Sequence, residues 1–503
     1  MFAAVSSATL LGVEGRRVTV EVHVSLGLPS FTIVGLPDEV CRESRDRVRA
    51  AVMSSGFSWP QRRVTVNLAP SGSRKMGSGL DLAIAIGVLV ADEIISAAAV
   101  ERFGFIGELG LDGSLRPIPG VVPLVAALDG QPVVPAGSRH EAEIISNERV
   151  FSGRMLREVV DALTGESPWP LVFDDVAAEV PEAVPDLADV RGQPLARQAL
   201  EVAAAGGHHV LFVGPPGAGK TMLAQRMPGL LPPLTREESL MATMVHSAAG
   251  VKLPAAGLVT RAPYRAPHHT SSIVALVGGG TSSLRPGEIS LAHGGILFLD
   301  ELGEFAPTAL DGLRQPLEEG VVRIARARAS ATLPAQFLLV AATNPCPCGG
   351  GAPGACQCDD AARARYLRRL SGPLLDRFDL RVPVHRPEVD ELLTGQQGEP
   401  SSVVAVRVAQ ARQHAAARQN GLNSAIPASL LDSIAPLAPP AQKLLRVELE
   451  RDRLTGRGYH RVRRVARTLA DLAGDAELIG EEHVVMALQF RVRLSPLLGG
   501  RAA

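Results

Sequence analysis

Polar and apolar residues alternate along Arg17-Val18-Thr19-Val20-Glu21-Val22-His23-Val24, and a period of two predicts a strand with one face in a core. Ala3 to Val13 reads as a strand before it, and Phe31 to Val34 and Arg63 to Leu68 as strands after it. From Asp38 to Ser54 the period lengthens to that of a helix, and an almost wholly apolar helix runs through Val90. Mixed α and β is the consequence for residues 1–163. Farther on, short all-apolar runs bounded by turn residues predict strands buried on both faces: His209 to Val213, Gly295 to Leu299 and Phe337 to Ala342. Helical periodicity appears at Pro194 to Ala205 and dominates the last hundred or so residues, where Val462, Val465, Leu469 and Leu472 make an apolar stripe. The chain thus divides into 1–163, an acidic, proline-rich linker 164–185 with Asp174, Asp175, Glu179 and Glu182, an α/β core 186–395 and a helical region 396–503.

The run at His209 to Val213 delivers Gly214-Pro215-Pro216-Gly217-Ala218-Gly219-Lys220-Thr221, which fills every fixed position of the phosphate-binding pattern G-x-x-x-x-G-K-[ST]; a helix opens at Met222. Glycines let the backbone wrap closely enough for N–H groups to cradle phosphate oxygens, Lys220 has the reach for β- and γ-phosphates, and Thr221 can hold Mg²⁺. Gly295 to Leu299 ends in Asp300 and Glu301. A nucleotide site needs two such acids, one in the Mg²⁺ shell and one to polarise the attacking water. Phe337 to Ala342 ends at Thr343-Asn344, where an amide side chain meets the γ-phosphate or that water. ATP and Mg²⁺ are the cofactors these residues imply.

At 503 residues the chain exceeds one ordinary domain. A formal charge of -1 excludes a globally basic nucleic-acid binder, so contact with DNA or RNA has to come from local arginines or a pore. The first residues read as a strand rather than a signal peptide, and the sequence has no apolar run of about eighteen residues or more, so no membrane span is expected. Four of the five cysteines fall in Cys346-Pro347-Cys348 and Cys356-Gln357-Cys358. A structural Zn²⁺ in a four-thiolate shell and a loop of reduced thiols both fit, and either suits a cytoplasmic protein.

The interval between the phosphate loop and Asp300 is too long for one crossover, so it holds an insertion, which includes His268, His269 and Leu276 to Thr281. No further ligand stands at zinc spacing from the two histidines, which favours a polar loop. Arg323-Ile324-Ala325-Arg326-Ala327-Arg328 is an alternating basic strand, suited equally to a phosphate backbone in a pore and to a solvated sheet edge. Arg377 stands between Asp376 and Asp379, and reads either as a local ion pair or as an arginine finger given to the γ-phosphate of a neighbouring subunit. Arg457, Arg461 and Arg464 flank the apolar stripe; a lid bringing Arg457 or Arg464 to the nucleotide and a solvated basic face are the two readings.

Asp186 to Gln193 resembles the segment that brackets adenine in AAA+ ATPases, and Asn344 stands at their sensor 1 position. Lys75-Met76-Gly77-Ser78-Gly79 and Gly107 to Gly120 resemble the segments around the serine and lysine of Lon-type proteases. Val121, Val122 and Pro123 stand where the lysine base belongs, so this likeness implies the fold without the peptidase, with Ser78 as a helix N-cap. Pro263 to Thr270, Pro286 to His293, Leu297 to Glu301, Asn344 to Gly349 and Arg457 to Thr468 together are similar to the YifB/ComM family of magnesium-chelatase-like AAA+ proteins, over nearly the whole chain. Tyr264 departs from the family's usual Phe but keeps the ring. The resemblance implies a Lon-protease-like α+β N-terminal domain, a P-loop AAA+ α/β core with a parallel sheet and a helix-2 insert, and an α-helical C-terminal lid. It also implies a homo-oligomeric ring, expected as a hexamer, with ATP between subunits. Members studied as ComM are DNA branch-migration helicases of natural transformation, so single-stranded or branched DNA is the partner expected by analogy. A metal-insertion motor and a protein-remodelling ATPase without nucleic acid are the alternatives.

Overall fold

The computed structural model describes residues 1–72, 74–170, 184–280, 284–326, 329–350, 356–370, 372–393, 397–474 and 476–491. Most of the acidic linker, Thr281, Arg328 and the last twelve residues of the helical region lie outside them. Among the described residues no helix is long and apolar enough to cross a membrane.

The first part of the chain folds around a seven-stranded mixed sheet, in the order Ser30–Val34, Arg63–Ala69, Glu14–Ser25, Phe2–Leu11, Phe103–Phe105, Gln131–Pro135, Phe151–Gly153. Phe2–Leu11 and Glu14–Ser25 form an antiparallel hairpin, and the alternation noted above puts Val18, Val20, Val22 and Val24 on its buried face. All eleven residues of the helix Asp81–Ala91 are buried on that face, as its apolar run requires. Asp38 caps the helix Glu39–Ser54 by accepting from the Cys41 amide. Ser78 does not cap Asp81–Ala91. That helix begins after Leu80 without a side-chain cap, while the Ser78 hydroxyl donates to Glu108. The helix starts three residues beyond Ser78, too late for its hydroxyl to reach the first free amides.

The second sheet has five parallel strands, in the order Tyr264–Arg265, Ile296–Leu299, Leu338–Thr343, Val210–Val213, Leu380–Pro383. Both faces are covered, which is why its central strands read as unbroken apolar runs. Val210, Phe212, Phe298 and Val340 pack toward the helix Pro194–Gly206 and the C-terminal helices, whereas Leu211, Val213, Leu297 and Leu299 pack toward Phe305, Leu310 and Leu333. The C-terminal helices are Ser401–Gln419, Pro439–Glu450, Gly456–Leu472 and Glu481–Gln489. Val462, Val465 and Leu469 of the stripe are buried, and so are Arg463 and Arg467, which the sequence pattern did not single out. Arg467 pairs with Asp471 at 2.7 Å, and Arg463 donates to Leu431 O and Ala435 O.

The insertion between the sheet strands contributes the helix Arg236–Ala249, fixed at its start by the reciprocal Thr235–Glu238 capping box. The first part of the chain is fastened to this helix: Gly120 N donates to Ser247 O at 2.8 Å and Val122 N to Ser247 Oγ at 3.2 Å. The basic strand is one arm of an antiparallel hairpin, Val321–Arg326 with Ala329–Pro334. Its apolar face, Val322, Ile324 and Leu333, is buried with Val13, while Arg323 on the other face pairs with Glu319.

Candidate active site

Parallel strands finish on the same edge of a sheet, and three of them bring the expected residues together. Gly214 follows Val210–Val213, Asp300 follows Ile296–Leu299, and Asn344 follows Leu338–Thr343, which lies between the other two. The phosphate loop needs its glycines. Gly217 and Gly219 adopt φ of 77° and 87°, in the left-handed region, and a Cβ on Gly214 would lie 2.1 Å from Val384 O.

Lys220 opens the helix Lys220–Arg226 and is nearly buried. Its Nζ donates to Gly214 O at 2.7 Å, Pro215 O at 2.9 Å and Asn344 Oδ1 at 3.1 Å. Burial lowers its pKa from the ordinary lysine value, against the opposing charges of Asp300 and Glu301. Thr221 Oγ1 donates to Asp300 Oδ2 at 2.6 Å, and the other carboxylate oxygen accepts the Glu301 amide at 2.8 Å. Thr221 and Asp300 thus set hard oxygen donors side by side, the donor chemistry Mg²⁺ requires.

Glu301 has φ of 52°, a left-handed backbone unusual for a residue with a side chain, and such strain concentrates at functional turns. Its carboxylate meets His269 Nδ1 at 3.1 Å. His269 packs against His268 with ring centroids 4.1 Å apart and the rings tilted by 33°, so the histidine pair belongs to the acid turn. The polar loop that the sequence favours for this pair is thus tied to the acid turn, because the strand Tyr264–Arg265 ends just before it on the same sheet edge.

Arg377 lies elsewhere. It precedes Leu380–Pro383, and Asp379 N donates to His209 O, so this segment sits at the edge where the strands begin. The length of a strand, roughly 13 Å for four residues, separates it from the phosphate loop of the same chain. Neither flanking acid pairs with it. Asp376 meets Arg381 at 3.5 Å, Asp379 meets Arg461 at 2.6 Å, and Arg377 itself pairs with Glu318. Burial lowers its pKa, and the charges of Arg461, Arg457 and Arg314 add to the shift. Arg457 is exposed in the first turn of Gly456–Leu472. Arg464 donates to Ile426 O at 2.8 Å. Arg377, Arg461 and Arg464 border a cavity of about 910 Å³ together with His209, His293 and Glu318. The structure therefore groups the C-terminal arginines with Arg377, not with the phosphate loop of their own chain.

Sequence reasoning missed His208 here, and it named Asp379 and Arg461 without joining them. Arg461 Nη1 donates to Asp379 Oδ1 and, at 2.9 Å, to Arg377 O. His208 bridges Asp379 Oδ2 and Thr468 Oγ1, at 3.2 and 2.7 Å. Burial pushes the Asp379 carboxyl up, but the His208 hydrogen bond and the His208, Arg461 and His209 charges outweigh it and bring the pKa to about 2. A buried polar network thus joins the C-terminal helix to the strand edge that carries Arg377.

The Sγ atoms of Cys346, Cys348, Cys356 and Cys358 all lie within 4.8 Å of one another, a group able to hold a metal ion.

Three family descriptions match in sequence along the chain: subunit ChlI of Mg-chelatase over residues 20–136, magnesium chelatase subunit ChlI over 186–392, and the ChlI C-terminal region over 398–491. An uncharacterized protein of Mycobacterium tuberculosis is 46% identical over 493 residues, covering 96% of this chain and 97% of the relative. Competence protein ComM of Haemophilus influenzae is 41% identical over 497 residues, 97% of each chain. YifB of Escherichia coli is 41% identical over 499 residues, 97% of this chain and 96% of the relative.

Proposed function

The chain belongs to the YifB/ComM family of magnesium-chelatase-like proteins, and from that premise we propose that it is an AAA+ ATPase working as a ring, in which one subunit grips ATP and the next completes the site for hydrolysis. The observation that carries the reading is the division of cations between two edges of one sheet: Lys220 on the edge with Asp300 and Asn344, Arg377 with Arg457, Arg461 and Arg464 on the other. A site split this way is completed by a second copy of the chain. The ring is read as a hexamer.

Backbone amides from Gly217 to Thr221 and the Lys220 ammonium bind the phosphates, and Asn344 orients the water that Glu301 polarises. Thr221 and Asp300 would hold Mg²⁺, which would supply neutralisation of phosphate charge. His269 holds the Glu301 carboxylate and links it to the inserted segment. Arg377 offsets charge as the γ-phosphate leaves, with Arg457 and Arg464 beside it. In this reading residues 1–163 are a Lon-like domain without peptidase chemistry and 396–503 a lid. The four cysteine thiols suit a structural zinc ion, which four sulfurs close off from catalysis, and reduced thiols suit the cytoplasm.

DNA is the proposed substrate, supported by a relative named a competence protein and by the hairpin Val321–Pro334, whose solvent face carries Arg323. The deciding measurement is the ATPase rate with single-stranded, duplex and branched DNA, with Glu301→Gln as the hydrolysis-dead control. Stimulation that weakens steeply as salt rises is expected. Equal rates with every nucleic acid and with none would remove DNA from the proposal and leave the ATPase standing. The family descriptions bear a magnesium chelatase subunit's name, which favours a metal-insertion motor as the second reading. Stimulation by a porphyrin in place of DNA would move the assignment there.

A further inference from the structure

Cys346 follows Asn344 by two residues, and the two cysteine pairs meet around one point. Sγ separations are 3.4 Å for Cys346–Cys348, 3.6 Å for Cys348–Cys356 and 3.4 Å for Cys356–Cys346. A disulfide would draw two sulfurs to about 2 Å. Zinc–sulfur bonds of about 2.3 Å at tetrahedral angles place the sulfurs about 3.8 Å apart. The three separations among Cys346, Cys348 and Cys356 fall within about 0.4 Å of that edge, and Cys358 completes a group whose sulfurs all lie within 4.8 Å of one another.

What the cluster touches gives it a role. The turn after Cys348 lies directly on the phosphate loop: a Cβ on Gly349 would stand 2.6 Å from Pro216 Cδ. Gly349 N closes that turn by donating to Cys346 O at 3.0 Å, and Cys346 is buried. The second pair leads into the helix Asp360–Arg369, capped by Asp359, whose side chain accepts the Ala362 amide at 2.6 Å. That helix carries Tyr366, whose hydroxyl is 3.0 Å from Thr343 Oγ1 and whose ring packs on Gly303, two residues past Glu301. One ion would thus tie together the Asn344 turn, the phosphate loop and the helix that backs the acid turn.

Resting on the zinc and ATPase readings above, we propose that zinc bound by Cys346, Cys348, Cys356 and Cys358 is a positioning device for hydrolysis: it clamps Asn344 and Pro216 in place, so that metal occupancy sets turnover. Lys220 gives two of its three bonds to Gly214 O and Pro215 O and only one to Asn344, so ATP affinity should move less than turnover.

The test uses the full-length protein purified with reductant. Metal analysis should find one zinc per chain, lost in Cys356→Ser and kept in Cys356→His, since imidazole is also a zinc donor. Cys356→Ser should lower kcat by roughly ten- to hundredfold, the range for losing a support shell, while the Kd for a fluorescent ATP analogue moves less than about threefold. Cys356→His should restore most of kcat. Because a cysteine variant can misfold, wild type stripped by a chelator and reloaded with zinc should show the same reversible fall. Tyr366→Phe should lower kcat with zinc retained. Wild type without metal, or with iron in its place, overturns the zinc reading. Zinc that comes and goes with kcat unchanged overturns the clamp and leaves the zinc reading intact. Absence of ATPase in zinc-loaded wild type overturns the ATPase reading instead.

Discussion

The loop between Arg63–Ala69 and Asp81–Ala91 and the loop between Val210–Val213 and Lys220–Arg226 share a plan: each leaves a strand, carries glycines and a buried lysine, and enters a helix packed on its sheet. They differ in where their polar groups go. In the first, Lys75 is fully buried with its Nζ donating to Pro70 O, Asp38 caps a helix and takes the Gly77 amide, and Asp81 is held by Arg47 at 2.7 Å and by the Leu109 amide. In the second, Lys220 and Thr221 meet side chains from two other strands' ends, Asn344 and Asp300, and Glu301 meets a half-buried histidine. A carboxylate spent on helix caps and buried amides cannot turn to a ligand without undoing the fold. Side chains that meet one another across separate loops, as Thr221 meets Asp300 and Glu301 meets His269, can. The same outline therefore serves structure in one place and, in the proposed ATPase, chemistry in the other.

The largest expected effect separates the two lysines. Lys220→Ala should remove ATP binding and bring turnover to background, with the unfolding of the first part of the chain unchanged. Lys75→Met should do the reverse, altering stability and leaving ATP hydrolysis within about twofold of wild type. Turnover lost in both would mean that the first loop is also part of the nucleotide machinery.

Next comes Arg47→Ala. Asp81 has no exposed side-chain surface, and Arg47 is its charge partner. Burial raises the Asp81 carboxyl, and the Arg47 hydrogen bond and charge oppose the shift. Removing one partner of a buried pair costs about 3–5 kcal/mol, read as a lower denaturant midpoint. Asp81→Asn with Arg47→Ala should recover part of the loss. A cost below about 1 kcal/mol would show that water reaches the pair.

How much of this contrast was legible in the residues follows from the range of the forces involved. The phosphate loop and the acids after Leu299 are local patterns on buried parallel strands, and the strands appear within a residue or two of their expected bounds. The alternating valines of Glu14–Ser25 fixed a face in the same way. Long-range partners left no local mark. Nothing beside Arg377 says that Asp379 is claimed by Arg461, because that arginine comes from a helix some eighty residues on. His269 and Glu301 are likewise joined only by the sheet order. For Ser78, capping propensity gave way to a carboxylate brought in by a separate short strand, Glu108–Leu109.

A smaller effect is set by pH. His209 borders the cavity, and its Nδ1 accepts the Leu339 amide at 3.0 Å, a bond that protonation would break. Burial lowers its pKa from 6.5 to about 4, against the opposing charge of Asp379 and helped by Arg461, His208 and Arg377. The unfolded chain takes up this proton below about 6.5 and the folded one only near 4, so stability falls as pH drops through that window. The loss should be about 1–3 kcal/mol, with the lower end set by water in the cavity. Asp379, depressed to about 2 from 3.8, gives up its own contribution only below that window. His209→Gln, which keeps an acceptor, should flatten the decline in thermal unfolding between pH 6.5 and 4. An unchanged decline would assign it to other groups.

The smallest effect is the sharpest test of the first loop's idleness. Ser78 donates to Glu108 at the mouth of the helix Asp81–Ala91, and Lys75, the nearest amine in sequence, gives its Nζ to a backbone carbonyl. A serine nucleophile needs a base free to take its proton. Ser78→Ala should therefore cost only about 1 kcal/mol, the worth of one hydrogen bond, and leave fluorogenic peptide cleavage at the level of buffer. Thr221→Ala, the matching hydroxyl deletion in the second loop, should cost as little in stability but cut ATP turnover, because its hydroxyl stands beside Asp300. Peptide cleavage by wild type that disappears in Ser78→Ala would show that the first loop also carries chemistry, and the contrast between the loops would fail there.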